Sequence, residues 1–145
     1  MINVIGLGYI GLPTALMFAK SGVKVVGTDY NSDLINSLKQ GKLTFKENGI
    51  EEVFKHALSN NIEFTTEYQS THTYIIAVPT PYMKDSKKLD PSYLISAIHS
   101  VLDICEKGAY LVIESTISPG TTDKHIRPEI EKRGFRIGED VHLIH

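Results

Sequence analysis

Three glycines near the start of the chain constrain its fold more than any other feature. Gly6, Gly8 and Gly11 form a G-x-G-x-x-G pattern between an apolar run at residues 2–5 and a stretch of helical periodicity at residues 12–21. Between a strand and a helix, this spacing allows a tight turn, an open backbone and a close helix–strand contact, in that order. The first turn of the helix presents unpaired N–H groups and a partial positive charge. The pattern therefore predicts a pyrophosphate-binding site.

An acidic residue follows the second apolar run. Asp29 comes directly after residues 24–28 and stands 18 positions beyond Gly11. In dinucleotide-binding folds, a carboxylate at this place accepts hydrogen bonds from the adenosine ribose. At about 4 Å and an effective dielectric of about 20, it would repel a 2′-phosphate by about 4 kcal/mol, and the next three residues carry no positive charge. The sequence thus favours NAD over NADP as the cofactor. The alternative is that Asp29 is a turn or helix-cap residue.

The rest of the chain alternates short apolar runs with amphipathic stretches, which is the pattern of parallel strands joined by helices. Asn60 and Asn61 are predicted to end one helix, and Asp90 and Pro91 to begin another as N-cap and first helical residue. These elements predict an α/β fold of the Rossmann type, a doubly wound parallel sheet of strand order 3-2-1-4-5-6 with helices on both faces. The further strands are predicted at residues 62–66, 74–78, 110–114, 135–137 and 141–144, and the further helices at residues 31–40, 50–58, 90–107 and 121–133.

Composition narrows the class of protein. The chain has 145 residues, of which 41% are hydrophobic and 22% charged, as in one globular domain. The formal charge is -2, and the basic cluster at residues 84–88 is interrupted by Asp85 and Ser86, so neither a nucleic-acid nor a membrane partner is expected. The apolar start is broken by glycines and Pro13 and lacks a preceding positive charge, which argues against a signal peptide or membrane helix. A cytoplasmic location is therefore expected. The single cysteine, Cys105, excludes an internal disulfide.

Three loop sequences are more specific than the fold. They read GLGYIGLP at residues 6–13, AVPTP at residues 77–81 and ESTISPGTT at residues 114–122. In this order they resemble the UDP-glucose/GDP-mannose dehydrogenase family across essentially the whole chain. The first two are most similar to its UDP-N-acetyl-D-mannosamine dehydrogenase branch.

The resemblance implies an oxidation of a UDP-sugar C6 alcohol to a carboxylate by two NAD, through a thioester on a cysteine. It also implies three parts: an N-terminal NAD domain, a central helical region that forms a homodimer, and a C-terminal UDP-sugar domain. On this basis residues 1–145 are expected to be the NAD domain of a longer enzyme. A Cys-Pro-Glu-Arg motif would begin just beyond His145, and the nucleophilic cysteine and catalytic lysine would lie in the later domains. By itself the chain is expected to bind NAD without turnover.

The resemblance also assigns roles to residues that match the family's motifs. Tyr9 and Ile10 would lie along the pyrophosphate, and Thr80 beside the second ribose. Thr116 would lie near the nicotinamide and the reacting carbon, as an auxiliary catalytic residue. The alternative for both threonines is that they cap backbone groups in loops. The expected cofactor-binding residues are Gly6, Gly8, Tyr9, Ile10, Gly11, Asp29, Val78, Pro79, Thr80, Ser115 and Thr116, and no metal is expected.

Several residues depart from the family's pattern or fall outside it. Leu34 stands where the UDP-glucose branch often carries Lys or Arg, which puts a basic contact near the adenosine in doubt. Cys105 is predicted to be a small buried hydrophobe within helix 90–107 rather than a nucleophile. Glu114 is expected either to orient the Thr116 loop or to form a structural pair. His142 and His145 would face opposite sides of a strand and so would not share a metal.

Other functions stay open at this point. The NAD domain of a UDP-glucose or UDP-N-acetylglucosamine dehydrogenase and a free-standing NAD(H)-responsive regulatory module both fit the glycine loop. A β-hydroxyacid-type dehydrogenase shares the opening glycines but gives no reason for the Pro-Thr-Pro and Ser-Thr elements together. A methyltransferase using S-adenosylmethionine shares the glycine loop and acidic strand end, although the third glycine favours a dinucleotide.

Overall fold

Parallel strands form the central sheet of this computed structural model, which describes residues 1–59, 61–84 and 88–145. The predicted helix end at Asn60 and the interruption of the basic cluster at Asp85 and Ser86 lie outside the described residues. The strands are β1 (Ile2–Ile5), β2 (Val25–Thr28), β3 (Ile62–Thr65), β4 (Thr73–Ile76), β5 (Tyr82–Met83), β6 (Lys88–Leu89), β7 (Ala109–Ile113) and β8 (Val141–Ile144). The helices are α1 (Gly11–Lys20), α2 (Ser32–Lys39), α3 (Ile50–Leu58), α4 (Ser92–Leu102) and α5 (Arg127–Lys132), and a π-helical turn, Thr122–Ile126, precedes α5.

The strand order of the sheet confirms the predicted topology. Six parallel strands lie in the order β3-β2-β1-β4-β7-β8, while β5 and β6 form a separate two-stranded hairpin. Once the hairpin is set aside, this is the order 3-2-1-4-5-6. The direction of winding changes between β1 and β4, and in such sheets ligands bind beside the carboxyl ends of the strands at that change.

The sheet has a hydrophobic core on each face. On one face, Leu12 and Leu16 of α1 pack with Val4, together with residues of α2 and α3. On the other face, Ile98 of α4 and Ile130 of α5 belong to a second cluster. Every residue of β2 is buried, as expected of an inner parallel strand covered on both sides.

Helix α4 is shorter than the predicted span of residues 90–107. It begins at Ser92 after Pro91, Asp90 Oδ1 accepts a hydrogen bond from the Ser92 N–H at 2.9 Å, and it ends at Leu102. A helix of 11 residues rises about 16 Å, which matches the about 17 Å length of five-residue β7. A longer helix would overshoot the sheet edge. Cys105 therefore lies in the turn that follows, half-buried against the second core, and burial raises its thiol pKa.

The predicted helix 121–133 is divided, and the predicted strand 135–137 is wrong. Pro128 has no N–H to bond the carbonyl four residues earlier, so a wide π-helical turn comes before regular α5. Of residues 135–137, only Ile137 makes an isolated bridge, to Val141. The segment instead forms a tight turn in which the N–H groups of Glu139 and Asp140 donate to the Arg136 carbonyl.

Asp140 holds that turn and makes the stability of the fold depend on pH. Its carboxylate accepts hydrogen bonds from the Arg136 backbone N–H at 2.9 Å and Nε at 3.1 Å, and pairs with Lys107 Nζ at 3.3 Å. Chiefly through that backbone bond, the pKa of Asp140 falls from 3.8 to about 2. Because the folded pKa is depressed, the stabilisation is complete above the unfolded pKa and is lost as the pH falls from about 4 to about 2.

Asp140→Asn is therefore expected to flatten the acid side of the stability curve, measured by urea unfolding at several pH values. The Glu106→Gln variant, at an exposed carboxylate, serves as the control. An unchanged slope between pH 4 and pH 2 in Asp140→Asn would contradict the assignment.

Candidate functional site

A cleft of about 410 Å³ opens at the carboxyl ends of β1, β2, β4 and β7, where the strand order reverses. Four segments line it: the glycine loop after β1, the segment from the end of β2 into the first turn of α2, the loop after β4 and the loop after β7. The structure brings together all but one of the predicted cofactor residues here, and the exception, Gly11, is buried at the start of α1. Those lining the cleft are Gly6, Gly8, Tyr9, Ile10, Asp29, Val78, Pro79, Thr80, Ser115 and Thr116.

The three glycines have different physical reasons to be glycine. Gly6 has φ +87, and a Cβ there would lie 2.7 Å from the Ala77 carbonyl oxygen. A Cβ at Gly11 would lie 1.8 Å from the Gly6 carbonyl oxygen, so α1 could not start against the loop. Around Gly8 no heavy atom lies within 4 Å of such a Cβ, and the residue is exposed. The open space at the second glycine suits the close approach of a phosphate to the backbone.

Asp29 is buried, and its carboxylate already holds two backbone groups. Oδ2 accepts a hydrogen bond from the Leu7 N–H at 2.8 Å, and Oδ1 accepts one from the Asn31 N–H at 2.9 Å. The helix cap is Asn31 instead, whose Oδ1 accepts from the Asp33 and Leu34 N–H groups. A carboxylate has about four lone-pair directions, so two stay available to ribose hydroxyls. Sequence reasoning missed the bond to Leu7, because it depends on how β2 and the glycine loop meet.

The loops after β4 and β7 are tied together by hydroxyl groups. Thr80 Oγ1 donates to the Thr116 carbonyl at 2.5 Å, and Ser115 Oγ donates to the Val78 carbonyl at 2.8 Å. Thr80 thus caps a backbone carbonyl, which was the alternative role considered for it from the sequence. It also lines the cleft. The Thr116 hydroxyl is exposed and makes no hydrogen bond to the part of the chain that the structure describes.

Ser115→Ala is expected to lower the free energy of unfolding by about 1 kcal/mol, since it leaves the Val78 carbonyl without its donor. Urea unfolding followed by circular dichroism measures this. Ser118→Ala, an exposed serine on the same loop, is the matched control and should change stability by less than about 0.5 kcal/mol. Equal effects of the two substitutions would show that the hydrogen bond from Ser115 to Val78 contributes nothing to the free energy of unfolding.

A smaller cavity of about 190 Å³ adjoins the cleft on the β2 side. It lies against α4 and shares Asp29 and Pro79 with the cleft. Its walls include three aromatic rings, Tyr30, Tyr68 and Tyr93. Burial raises the pKa of the Tyr68 hydroxyl, which keeps that group neutral. Flat aromatic walls next to the Asp29 carboxylate suit a planar base.

The structure shows which groups surround Glu114, for which the sequence left two roles open, and where His142 and His145 lie, which were not expected to share a metal. Glu114 Oε2 accepts a hydrogen bond from Thr14 Oγ1 of α1 at 3.2 Å, so it pairs with α1 rather than with the Thr116 loop. The His142 ring stacks on Tyr110 with centroids 4.6 Å apart, and β8 ends before His145. Within residues 1–59, 61–84 and 88–145, no group of three potential metal ligands occurs. No helix in those ranges is long and apolar enough to cross a membrane.

The reversed strand order, the glycine loop at the start of α1 and the carboxylate at the end of β2 define a Rossmann-type dinucleotide-binding domain. The chain belongs to the UDP-glucose/GDP-mannose dehydrogenase family, whose NAD-binding domain it matches over residues 1–145.

Similarity to individual proteins and solved structures supports this family membership. The chain is 43% identical over 127 residues to a UDP-N-acetyl-D-mannosamine dehydrogenase of Methanococcus maripaludis, a match that covers 85% of this chain and 30% of that protein. It superimposes on the UDP-N-acetyl-mannosamine dehydrogenase of Staphylococcus aureus with a TM-score of 0.92 at 43% identity, covering 98% of this chain and 35% of that one. For the Pyrococcus horikoshii UDP-D-ManNAc dehydrogenase structure, the TM-score is 0.89 at 40% identity, with 99% and 35% covered. The chain thus spans about a third of the length of these relatives.

Proposed function

We propose that this chain is the NAD-binding part of an enzyme that oxidises UDP-N-acetyl-D-mannosamine to UDP-N-acetyl-D-mannosaminuronate with two NAD. The observation that carries the proposal is the cleft at the change of strand order, in a chain 43% identical to proteins named for that sugar. Formation of a homodimer and a cytoplasmic location stay predictions.

The glycine loop is proposed to hold the pyrophosphate. Gly6 and Gly11 shape the turn, while Gly8, Tyr9 and Ile10 border the cleft at the start of α1. Backbone N–H groups and the dipole of α1 would neutralise the phosphate charge there. Asp29 would accept hydrogen bonds from the adenosine ribose, and the adjoining cavity would take the adenine between its tyrosine rings.

The loops after β4 and β7 are proposed to hold the nicotinamide half. Val78 and Pro79 form the floor next to the glycine loop, and Thr80 and Ser115 keep the two loops at a fixed separation. Thr116 is exposed and lines the cleft, and its hydroxyl can donate and accept, which suits contact with the nicotinamide or with a water beside the reacting carbon. The bound cofactor would accept a hydride from the sugar carbon.

The chain by itself is proposed to bind without turnover. Its one thiol, Cys105, packs against the core beneath α4 rather than lining the cleft. A nucleophile, a general base and a sugar site would then come from the parts that the longer relatives possess.

Calorimetric titration with NAD, NADP and S-adenosylmethionine tests the cofactor assignment. NAD is expected to bind at least about 10-fold more tightly than NADP, because the Asp29 carboxylate repels a 2′-phosphate. Binding of S-adenosylmethionine alone would refute it. Accumulation of NADH when the pure chain is mixed with UDP-N-acetyl-D-mannosamine and NAD would refute the absence of turnover.

A further inference from the structure

The cleft carries an uneven distribution of charge. Its described lining residues include two carboxylates, Asp29 and Glu114, but no lysine, arginine or histidine. Asp29 follows β2 and Glu114 follows β7, with β1 and β4 between them. At about 4.8 Å per strand, the two acids stand about 14 Å apart across the mouth of the cleft. A ligand held at one end by Asp29 therefore extends toward a second negative charge.

Glu114 is exposed, but its side chain has a defined direction. It accepts the hydrogen bond from Thr14 Oγ1, in the second turn of α1. This bond joins the carboxylate to α1, and Glu114 lines the cleft together with residues of the glycine loop. The charge thus lies beside the part of the cleft that also holds Ser115 and Thr116.

We propose that Glu114 is a specificity-determining residue that makes the cleft favour the oxidised cofactor over the reduced one. The inference rests on the proposed function, in which the nicotinamide lies at the β4–β7 end. The oxidised ring carries a positive charge and the reduced ring is neutral, so a neighbouring carboxylate attracts only the oxidised form. No basic residue in the described lining offsets this attraction. Reduced cofactor is then released more readily than the oxidised form.

The ratio of two dissociation constants isolates this effect. The two forms carry the same adenosine, riboses and pyrophosphate, so any repulsion between Glu114 and the phosphates cancels in the ratio Kd(NADH)/Kd(NAD). Only groups that sense the charge of the ring change it. Glu114→Gln removes the charge and keeps an oxygen that can accept from Thr14. Thr14→Val keeps the charge and removes the hydrogen bond.

The test measures both constants for the 145-residue chain, by calorimetry for NAD and by fluorescence for NADH. Glu114→Gln is expected to lower the ratio about 2- to 5-fold, the size of effect of one solvent-screened charge on a neighbouring opposite charge. Thr14→Val is expected to lower it less. Glu131→Gln, an exposed carboxylate on α5, should leave it unchanged. The wild-type ratio should also fall toward the Glu114→Gln value at 1 M salt, where the screening length is about 3 Å.

An unchanged ratio in Glu114→Gln would overturn the inference, even if the affinities for both forms fell together. Glu114 would then have only a structural role, as the hydrogen-bond acceptor of Thr14 in α1. An insensitive wild-type ratio at high salt would overturn it independently of any variant. Failure of wild-type protein to bind either form would instead refute the proposed function.

Discussion

Gly11→Ala is expected to weaken NAD binding about 100-fold or more and to lower the free energy of unfolding by about 3 kcal/mol or more. The new Cβ would lie 1.8 Å from the Gly6 carbonyl oxygen, and 3.2 Å from the Ala77 Cβ. Backbone rather than a flexible side chain opposes it, so the glycine loop and the start of α1 must separate. The N–H groups at the helix start would then no longer converge, which should weaken NAD binding about 100-fold or more.

Gly8→Ala is the matched control for the stability effect of Gly11→Ala. No atom lies within 4 Å of its added Cβ, so unfolding by urea should change by less than about 0.5 kcal/mol. The methyl group would nevertheless stand where the pyrophosphate is proposed to approach, and NAD affinity should fall. A fully folded Gly11→Ala protein with normal affinity would contradict the loop geometry. Unchanged affinity in Gly8→Ala would place the phosphate elsewhere.

Asp29→Ala is expected to weaken NAD binding by about 1.5–3 kcal/mol, the range for hydrogen bonds to a charged group, and to relax discrimination against NADP. The structure adds a second effect. The substitution removes the acceptor of the Leu7 N–H, and Leu7 is buried. An unpaired buried donor costs about 1–3 kcal/mol, so stability should fall as well. Calorimetry with both cofactors and urea unfolding measure the two effects separately.

Asp29→Asn separates the roles of the carboxylate. Asparagine can accept from one of the Leu7 and Asn31 N–H groups but turns an amide N–H toward the other, so stability should fall. It removes the negative charge, so NADP should gain relative to NAD. Reduced stability with unchanged NAD affinity in folded Asp29→Ala protein would make Asp29 a turn residue alone, because alanine, unlike asparagine, cannot hydrogen-bond to a ribose.

Much of the fold was predictable because local patterns in this chain agree with one another. Short apolar runs identified the six strands of the main sheet, whereas the run at 135–137 was wrongly predicted as a strand. The strand order followed from the topology common to doubly wound sheets. The errors occurred where three-dimensional fit overrides local preference. Helix α4 is limited by the length of the sheet strands, and the predicted helix 121–133 is divided because of Pro128. The β5–β6 hairpin has no strong sequence signal, since each strand has two residues.

For the site, the sequence by itself determined which residue types meet at the carboxyl edge: a glycine loop, an aspartate and two Ser/Thr-containing loops. These follow from short-range motifs, whose spacing specifies a turn or a strand end. Only the tertiary structure decided what those groups bind to. The Asp29–Leu7 bond, the Thr80–Thr116 tie and the pairing of Glu114 with Thr14 join residues 22, 36 and 100 positions apart. Such contacts depend on the relative placement of separate elements, which packing sets and no local pattern encodes.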